Sequence, residues 1–155
     1  MRSRGFTLIE LVATLAILAL LAVAAFPIAD LTIKRTKEQD LRYSLRQIRE
    51  GIDTYKRAVD EGRIERKVGD TGYPPKLDVL VAGVEDKRSP DKKKLYFLRR
   101  IPTDPFADPE LAGAASWGKR SYASPPEEPK EGEDVYDVFS LSPLKGINGV
   151  PYREW

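Results

Sequence analysis

The residues of this chain best suited to chemistry stand near its start, where an acidic side chain interrupts an apolar run. Glu10 has apolar or uncharged neighbours on both sides, residues 6–9 and residues 11–13. A carboxylate inside a membrane span costs roughly 2.5 to 3.5 kcal/mol on insertion scales, so such a residue normally marks a function. A short basic leader, residues 1–5, comes before the run and ends in Gly5.

The apolar run is long enough to cross a membrane. Residues 11–29 contain no charged side chain, and at about 1.5 Å per helical residue they span about 28 Å, close to the roughly 30 Å core of a bilayer. An ordinary signal peptide has a shorter apolar region and is cut after it. Here the glycine precedes the run, so we expect the span to stay in the mature protein. Charge alone leaves its orientation open, because basic residues flank both ends: Arg2, Arg4, Lys34, Arg35 and Lys37.

Composition narrows the classes of function. The chain of 155 residues has no cysteine and no histidine, so it can form neither a disulfide framework nor the usual serine or cysteine hydrolase pairings. A histidine-rich metal site is excluded for the same reason. Removing Arg2 and Arg4 with the leader lowers Lys+Arg from 26 to 24, equal to the 24 Asp+Glu. This balance argues against nucleic acid as a partner.

The hydrophobic pattern beyond the span predicts that one long helix continues. Apolar residues recur at spacings of 4, 3, 4, 3 and 4, which places them on one helix face: Leu41, Leu45, Ile48, Ile52, Tyr55 and Val59. The opposite face is charged and could form pairs four residues apart, such as Arg46–Glu50 and Asp53–Arg57. Gly62 is a suitable stop.

We therefore predict a helix over residues 6–61, with residues 6–29 as its transmembrane half and residues 30–62 as its amphipathic half. Pro27 is expected to break the regular helix by a kink or local melting. Membrane helices tolerate proline, so a simple bend and a functional hinge both remain open.

The C-terminal part, residues 63–155, predicts a small globular domain. It holds 11 of the 12 prolines and contains a predicted short helix (76–82) ended by Gly83, and a charged surface loop (85–94). The predicted strands are 117–123, 135–141 and, more weakly, 152–155. A small antiparallel sheet of these strands would cover the apolar face of the helix. The predicted fold class is α+β.

The N-terminal string of residues 4–11, Arg-Gly-Phe-Thr-Leu-Ile-Glu-Leu, resembles the processing site of type IV pilins and type II secretion pseudopilins. The later segments are similar to the major pseudopilin of the type II secretion system. The likeness rests on Tyr73-Pro74, the Ile-Pro-Thr-Asp-Pro-Phe run at 101–106, the Trp-Gly-Lys-Arg-Ser-Tyr run at 117–122, the Tyr-Asp-Val-Phe-Ser run at 136–140, and Trp155.

The resemblance implies a type IV pilin-like fold and a structural role. A prepilin peptidase would cut between Gly5 and Phe6 and methylate the new amino group of Phe6. Glu10 would then be neutralised by the amino group of Phe6 on a neighbouring subunit in the filament core. The implied partners are other copies of the chain, the inner-membrane assembly platform and minor pseudopilins.

The implied location is the bacterial inner membrane, spanned once, with the C-terminal domain in the periplasm and the assembled filament in the periplasm or outside the cell. The implied function is that of a pseudopilus subunit in protein transport by type II secretion. A type IV pilus subunit or a related minor pilin is the alternative.

Three further possibilities have less support. Major pseudopilins of this type bind calcium in the loop before their last strand, but here residues 142–149 contain no acidic residue and include Lys145. The sequence therefore predicts no cofactor. An enzyme could use Asp104, Asp137 and Glu154 as acid/base groups, yet nothing pairs them with a nucleophile or a metal-ligand spacing, which favours structural roles. A membrane-anchored binding module would not explain a Gly-Phe junction followed by Glu10.

Overall fold

The computed structural model describes residues 7–155, and within them residues 23–29 by their helical backbone alone. The chain divides into two units, Met1–Thr36 and Lys37–Trp155. As the sequence predicts, the architecture is α+β, with a long N-terminal helix packed on small antiparallel strand pairs.

The long helix, α1, covers Leu8–Asp60. Its predicted start at Phe6 lies outside the described residues. The backbone stays helical at position 27, so Pro27 does not melt the helix locally. The side chains around Pro27 also lie outside the described residues, and a bend there stays a prediction.

The predicted apolar face of α1 forms the centre of the core. Its six residues are at most 8% exposed, and burying each large apolar side chain contributes roughly 1.5 to 3 kcal/mol. The residues that pack against this face come from every later part of the chain: Ile64, Leu77, Leu80, Leu98, Trp117, Val135, Val138 and Tyr152. The prediction that these six residues share one buried face of the helix is confirmed.

Two glycines shape α1 at points where a side chain would not fit. Gly62 has φ +70° and ends the helix, with its N–H bonded to the carbonyl of Val59 and the next N–H, from Arg63, bonded to the carbonyl of Ala58. Gly51 lies mid-helix, and a Cβ there would come within 3.0 Å of Leu98 Cγ. Gly51 thus lets Leu98 pack directly on the helix backbone.

The segment after the helix differs from its prediction in two places. The short helix α2 covers Val79–Ala82 instead of residues 76–82, because residues 76–81 are joined by tighter i→i+3 bonds. The stretch predicted as a surface loop, residues 85–94, is framed by a strand pair, β1 (Val84–Glu85) and β2 (Lys94–Leu95). Its Asp86 is buried and accepts a hydrogen bond from Arg63 at 2.6 Å, which holds the pKa of the Asp86 carboxyl below its usual value.

The second strand pair joins β3 (Trp117–Arg120) to β4 (Asp137–Ser140), antiparallel, with Trp117 opposite Ser140. Both strands are shorter than predicted because backbone groups beside them bind elsewhere. The N–H of Ser121 bonds to the carbonyl of Lys130, and the N–H of Val135 bonds to the carbonyl of Pro74.

The weaker strand prediction, residues 152–155, is wrong. Tyr152–Glu154 form a single 3₁₀ turn, preceded by an isolated bridge between Lys145 and Pro151. Proline has no N–H to donate, which limits how far a ladder can extend. The turn places the Tyr152 ring in the core, where it stacks on Phe106 with centroids 4.2 Å apart.

Replacing Ile52 with alanine should lower the free energy of unfolding by roughly 2 to 5 kcal/mol, because the substitution leaves a cavity in a closed core. Ile52 is 0% exposed. Urea denaturation of a truncated protein beginning at Asp30 measures the change. Val68→Ala is the control, since Val68 is fully exposed and its truncation should change stability by no more than about 0.5 kcal/mol. Unchanged stability of Ile52→Ala would move Ile52 from the core to a contact with other copies.

Candidate functional site

Glu10 lies in the first turn of α1 and bonds to Thr7 of its own chain. The carboxylate oxygen Oε2 accepts hydrogen bonds from the backbone N–H and the side-chain hydroxyl of Thr7, both at 2.8 Å. The Thr7 hydroxyl oxygen in turn accepts the N–H of Glu10 at 3.3 Å. This reciprocal arrangement is a capping box, which satisfies N–H groups that a helix start leaves without partners.

The capping role was not among the predictions for Glu10, although its signal is present in the sequence. A Thr-x-x-Glu spacing at the head of an apolar run is the mark of a capping box. The negative charge also lies favourably at the positive end of the helix dipole. Within the described residues the other carboxylate oxygen, Oε1, has no hydrogen bond, so Glu10 keeps a free acceptor.

Gly5 and Phe6, the predicted cleavage site, lie outside the described residues, and both assignments stay predictions. The apolar side chains just after them are exposed. Leu8 is 83% and Ile9 is 77% exposed, and the described side chains of residues 11–22 are exposed as well. A helix with an apolar surface on all sides needs a bilayer or other chains to cover it.

In the part of the chain with described side chains, no helix is both long and apolar enough to cross a membrane. The predicted span, residues 11–29, includes residues 23–29, whose side chains lie outside the described part.

The three carboxylates considered for acid/base chemistry have separate surroundings. Asp104 is 2% exposed, accepts the N–H of Phe106 at 2.8 Å and accepts the hydroxyl of Ser140. Asp137 forms an ion pair with Arg49 at 2.8 Å. Glu154 is exposed in the last turn. Asp104 and Asp137 therefore tie loops and strands together, as the structural interpretation of the sequence expects.

The loop over residues 142–149 is closed by contacts within the chain. Gly149 has φ +82° and donates its N–H to the carbonyl of Gly146 at 2.9 Å. A carboxylate does reach the loop, but it comes from α1: Glu38 accepts the N–H of Ile147 at 2.7 Å and the phenol of Tyr152 at 2.9 Å. Burial, helped by the bond to Glu38, raises the pKa of the Tyr152 phenol.

Glu38 was missed by the sequence analysis, but a signal for it exists. It lies three residues before Leu41 and so continues the apolar face of α1 with a charged residue. It is 7% exposed, and a buried carboxylate needs hydrogen-bond partners. In the described residues no group of three or more acidic side chains is placed to hold a metal ion.

We expect the domain from Asp30 onward to melt at the same temperature in millimolar calcium and in a chelator, because a ligand that does not bind the native state cannot stabilise it. Calorimetry in the two buffers measures this. Glu38→Ala is the positive control: it leaves the buried phenol of Tyr152 and the N–H of Ile147 without their acceptor, and should cost roughly 1 to 3 kcal/mol in both buffers. A large drop in melting temperature caused by the chelator alone would show that carboxylates from elsewhere complete a calcium site.

Comparison with known proteins gives one finding for the N-terminal residues. No curated protein and no solved structure matches the chain. A family model described as "Prokaryotic N-terminal methylation motif" matches residues 1–26, the part that holds Gly5, Phe6 and Glu10. Proteins with this motif are anchored in a membrane before they assemble into filaments, and their family is structural rather than enzymatic. The motif supports a type IV pilin-like filament subunit that is processed by a prepilin peptidase.

Proposed function

We propose that this protein is a structural subunit of a helical pseudopilus that drives type II protein secretion. The observation that carries the proposal is the methylation motif over residues 1–26, with Glu10 in the first turn of an exposed apolar helix. A soluble domain has no use for such a helix, whereas a filament buries it against its neighbours.

The proposed maturation begins in the inner membrane. A prepilin peptidase cuts between Gly5 and Phe6 and methylates the new amino group. The chain is then a single-pass transmembrane protein whose C-terminal domain faces the periplasm. The assembly platform, with minor pseudopilins, extracts it and adds it to a filament in the periplasm or outside the cell.

Glu10 supplies the proposed assembly contact. Among the described residues only Oε2 of Glu10 is bonded, to Thr7, so the carboxylate can accept the Phe6 amino group of a neighbour without losing its cap. An unpaired charge among apolar helices is costly, and the pairing removes that cost. The contact joins different surfaces of two copies and does not close on itself, so it propagates as a fibre.

A type IV pilus subunit is the second candidate, and the C-terminal domain favours the pseudopilin over it. The segments that resemble the major pseudopilin contact one another. Trp117 donates its indole N–H to the carbonyl of Pro102 at 2.7 Å, and Asp104 accepts the hydroxyl of Ser140. Three separate runs of the resemblance thus form one bonded unit, which supports shared structure rather than scattered similarity.

Intact-mass measurement of the protein extracted from membranes should show a chain that begins at Phe6 and carries a methyl group. Gly5→Val should block the cut, because a side chain at that position obstructs the approach of the peptidase. Recovery of a chain that begins near Asp30 would indicate an ordinary signal peptide and would overturn the filament proposal.

Substitutions at Glu10 separate its two roles. Glu10→Ala removes both the cap and the charge, whereas Glu10→Gln keeps a capping side chain and removes only the charge. Both variants should insert in the membrane, since they remove a charge from an apolar segment, and both should still be cleaved because Gly5 and Phe6 are unchanged. Electron microscopy of the producing cells should show few or irregular filaments for both.

Thr7→Ala is the matched control for these variants. It removes the capping hydroxyl, worth about 0.5 to 2 kcal/mol, and leaves the charge of Glu10 in place, so filaments should persist. Normal filaments from Glu10→Gln together with loss in Thr7→Ala would show that Glu10 serves only as a helix cap.

A further inference from the structure

A basic groove runs beside the charged face of α1, with a volume of about 680 Å³. One wall is the helix and the other is the C-terminal segment, which contributes Val150 and Trp155. We call it the arginine groove for the four side chains that line it: Arg42, Arg46, Arg49 and Arg57.

Three of the four arginines in this groove form no ion pair with the described residues. Arg49 is engaged, because it pairs with Asp137 at 2.8 Å and donates to the main-chain oxygen of Trp155 at 2.8 Å. Arg46 and Arg57 belong to no ion pair of the described residues, and the predicted pairs Arg46–Glu50 and Asp53–Arg57 do not form there. Arg42, Arg46 and Arg57 thus outnumber the two carboxylates that line the groove, those of Glu50 and Asp53. The groove therefore carries a positive charge.

Trp155 lines the groove, and its indole N–H is buried without a hydrogen-bond acceptor among the described residues. The guanidinium of Arg42 lies 4.3 Å from the centre of the indole ring. A carboxylate entering the groove beside Arg42 would bring a counter-charge to this place.

The same chain carries a surface of the matching charge. The loop between β3 and β4, residues 125–133, exposes four glutamates: Glu127, Glu128, Glu131 and Glu133. We call it the acidic loop. Glu128 pairs with Lys130 and Glu131 pairs with Lys119, whereas Glu127 and Glu133 enter no ion pair of the described residues.

Hydrogen bonds to Ser121 and Ser124, just before the acidic loop, hold the backbone of the loop in place. Ser121 donates its N–H to the carbonyl of Lys130 at 3.0 Å. The Ser124 hydroxyl donates to the carbonyl of Glu128 and accepts the N–H of Lys130, at 3.0 and 2.8 Å. A loop that is already ordered loses little conformational entropy when it binds.

We propose that the acidic loop of one copy docks in the arginine groove of a neighbouring copy, and that this contact joins the C-terminal domains along the filament. The proposal rests on the filament function proposed above. Charge complementarity favours a second copy as the occupant. Without the leader the chain has equal numbers of basic and acidic side chains, 24 and 24. A subunit without net charge can attract a second copy through oppositely charged surfaces, here the loop and the groove.

The acidic loop does not line the groove of its own chain, so the two surfaces are free to meet between copies. Because they are different surfaces, their contact is heterologous and propagates in the same sense as the N-terminal contact. One subunit then holds its neighbours at two levels, through the apolar helices and through charged domains.

Disulfide trapping in the full chain tests the contact, since the parent has no cysteine. Thr54, which lines the groove, and Pro126, which is exposed in the acidic loop, are both replaced by cysteine. Mild oxidation of filament-producing cells should then give a ladder of covalent oligomers, because a disulfide forms only when the two Cα atoms come within about 7 Å. Each single-cysteine variant should give no ladder.

Charge reversal tests whether electrostatics holds the contact. In the double-cysteine background, Arg46→Glu with Arg57→Glu should reduce the ladder on the order of tenfold, because like charges then face each other. Adding Glu127→Lys and Glu133→Lys should restore it. Arg99→Glu, at an exposed position outside the groove, is the matched control and should leave the ladder unchanged.

The outcomes separate this inference from the filament proposal. Filaments without a ladder would overturn the docking contact and leave the filament function standing. A ladder that survives reversal of the groove, or that Arg99→Glu reduces equally, would overturn the pairing of loop and groove. Absence of filaments from the unmodified chain would overturn the filament function and the contact that rests on it.

Discussion

The fold depends on burial of one helix face, the apolar stripe of α1 between Leu41 and Val59. The chain has no cysteine and its strand pairs have only two strands each; isolated strand pairs of that size are marginally stable in water. Neither sheet could hold the domain by itself. Each later segment instead contributes one or two large apolar side chains to the stripe, so the helix serves as the common surface on which the domain assembles.

Buried polar contacts determine how the loops lie on that surface. Glu38 holds the C-terminal loop through Ile147 and Tyr152, and Arg49 joins the helix to Asp137 and Trp155. These contacts place charged groups at the edge of the core, where each has a partner and the desolvation cost is offset. Apolar burial supplies the stability, and the polar contacts select one arrangement of proline-rich segments that have little secondary structure of their own.

Structural elements that depend on a periodic pattern in the sequence were predicted correctly. Contacts between residues distant in the sequence were not. The 4-3-4-3-4 spacing predicted the buried face of α1, and Gly62 predicted the end of this helix, because both features depend on local geometry alone. The prediction of a strand at residues 152–155 was wrong because the apolar and aromatic residues of this segment suit a buried turn as well as a strand. Glu38 was not predicted as a contact residue, since only the folded chain brings Ile147 and Tyr152 to it. At the N-terminus the motif was recognised, but the capping box, although visible as Thr7-x-x-Glu10, was not predicted.

In the proposed filament, the observed capping role of Glu10 and its proposed assembly role act at different stages and do not compete. Before assembly, a carboxylate in an apolar segment is costly unless it is hydrogen-bonded, and the cap from Thr7 supplies two hydrogen bonds from its own chain. Those bonds use one oxygen and do not remove the charge. A helix start without the threonine would have to hold the same charge with fewer partners. Under the proposed function, the charge is retained at a lowered cost until the Phe6 amino group of another copy pairs with it. The observed capping residue and the proposed assembly residue can therefore be the same side chain.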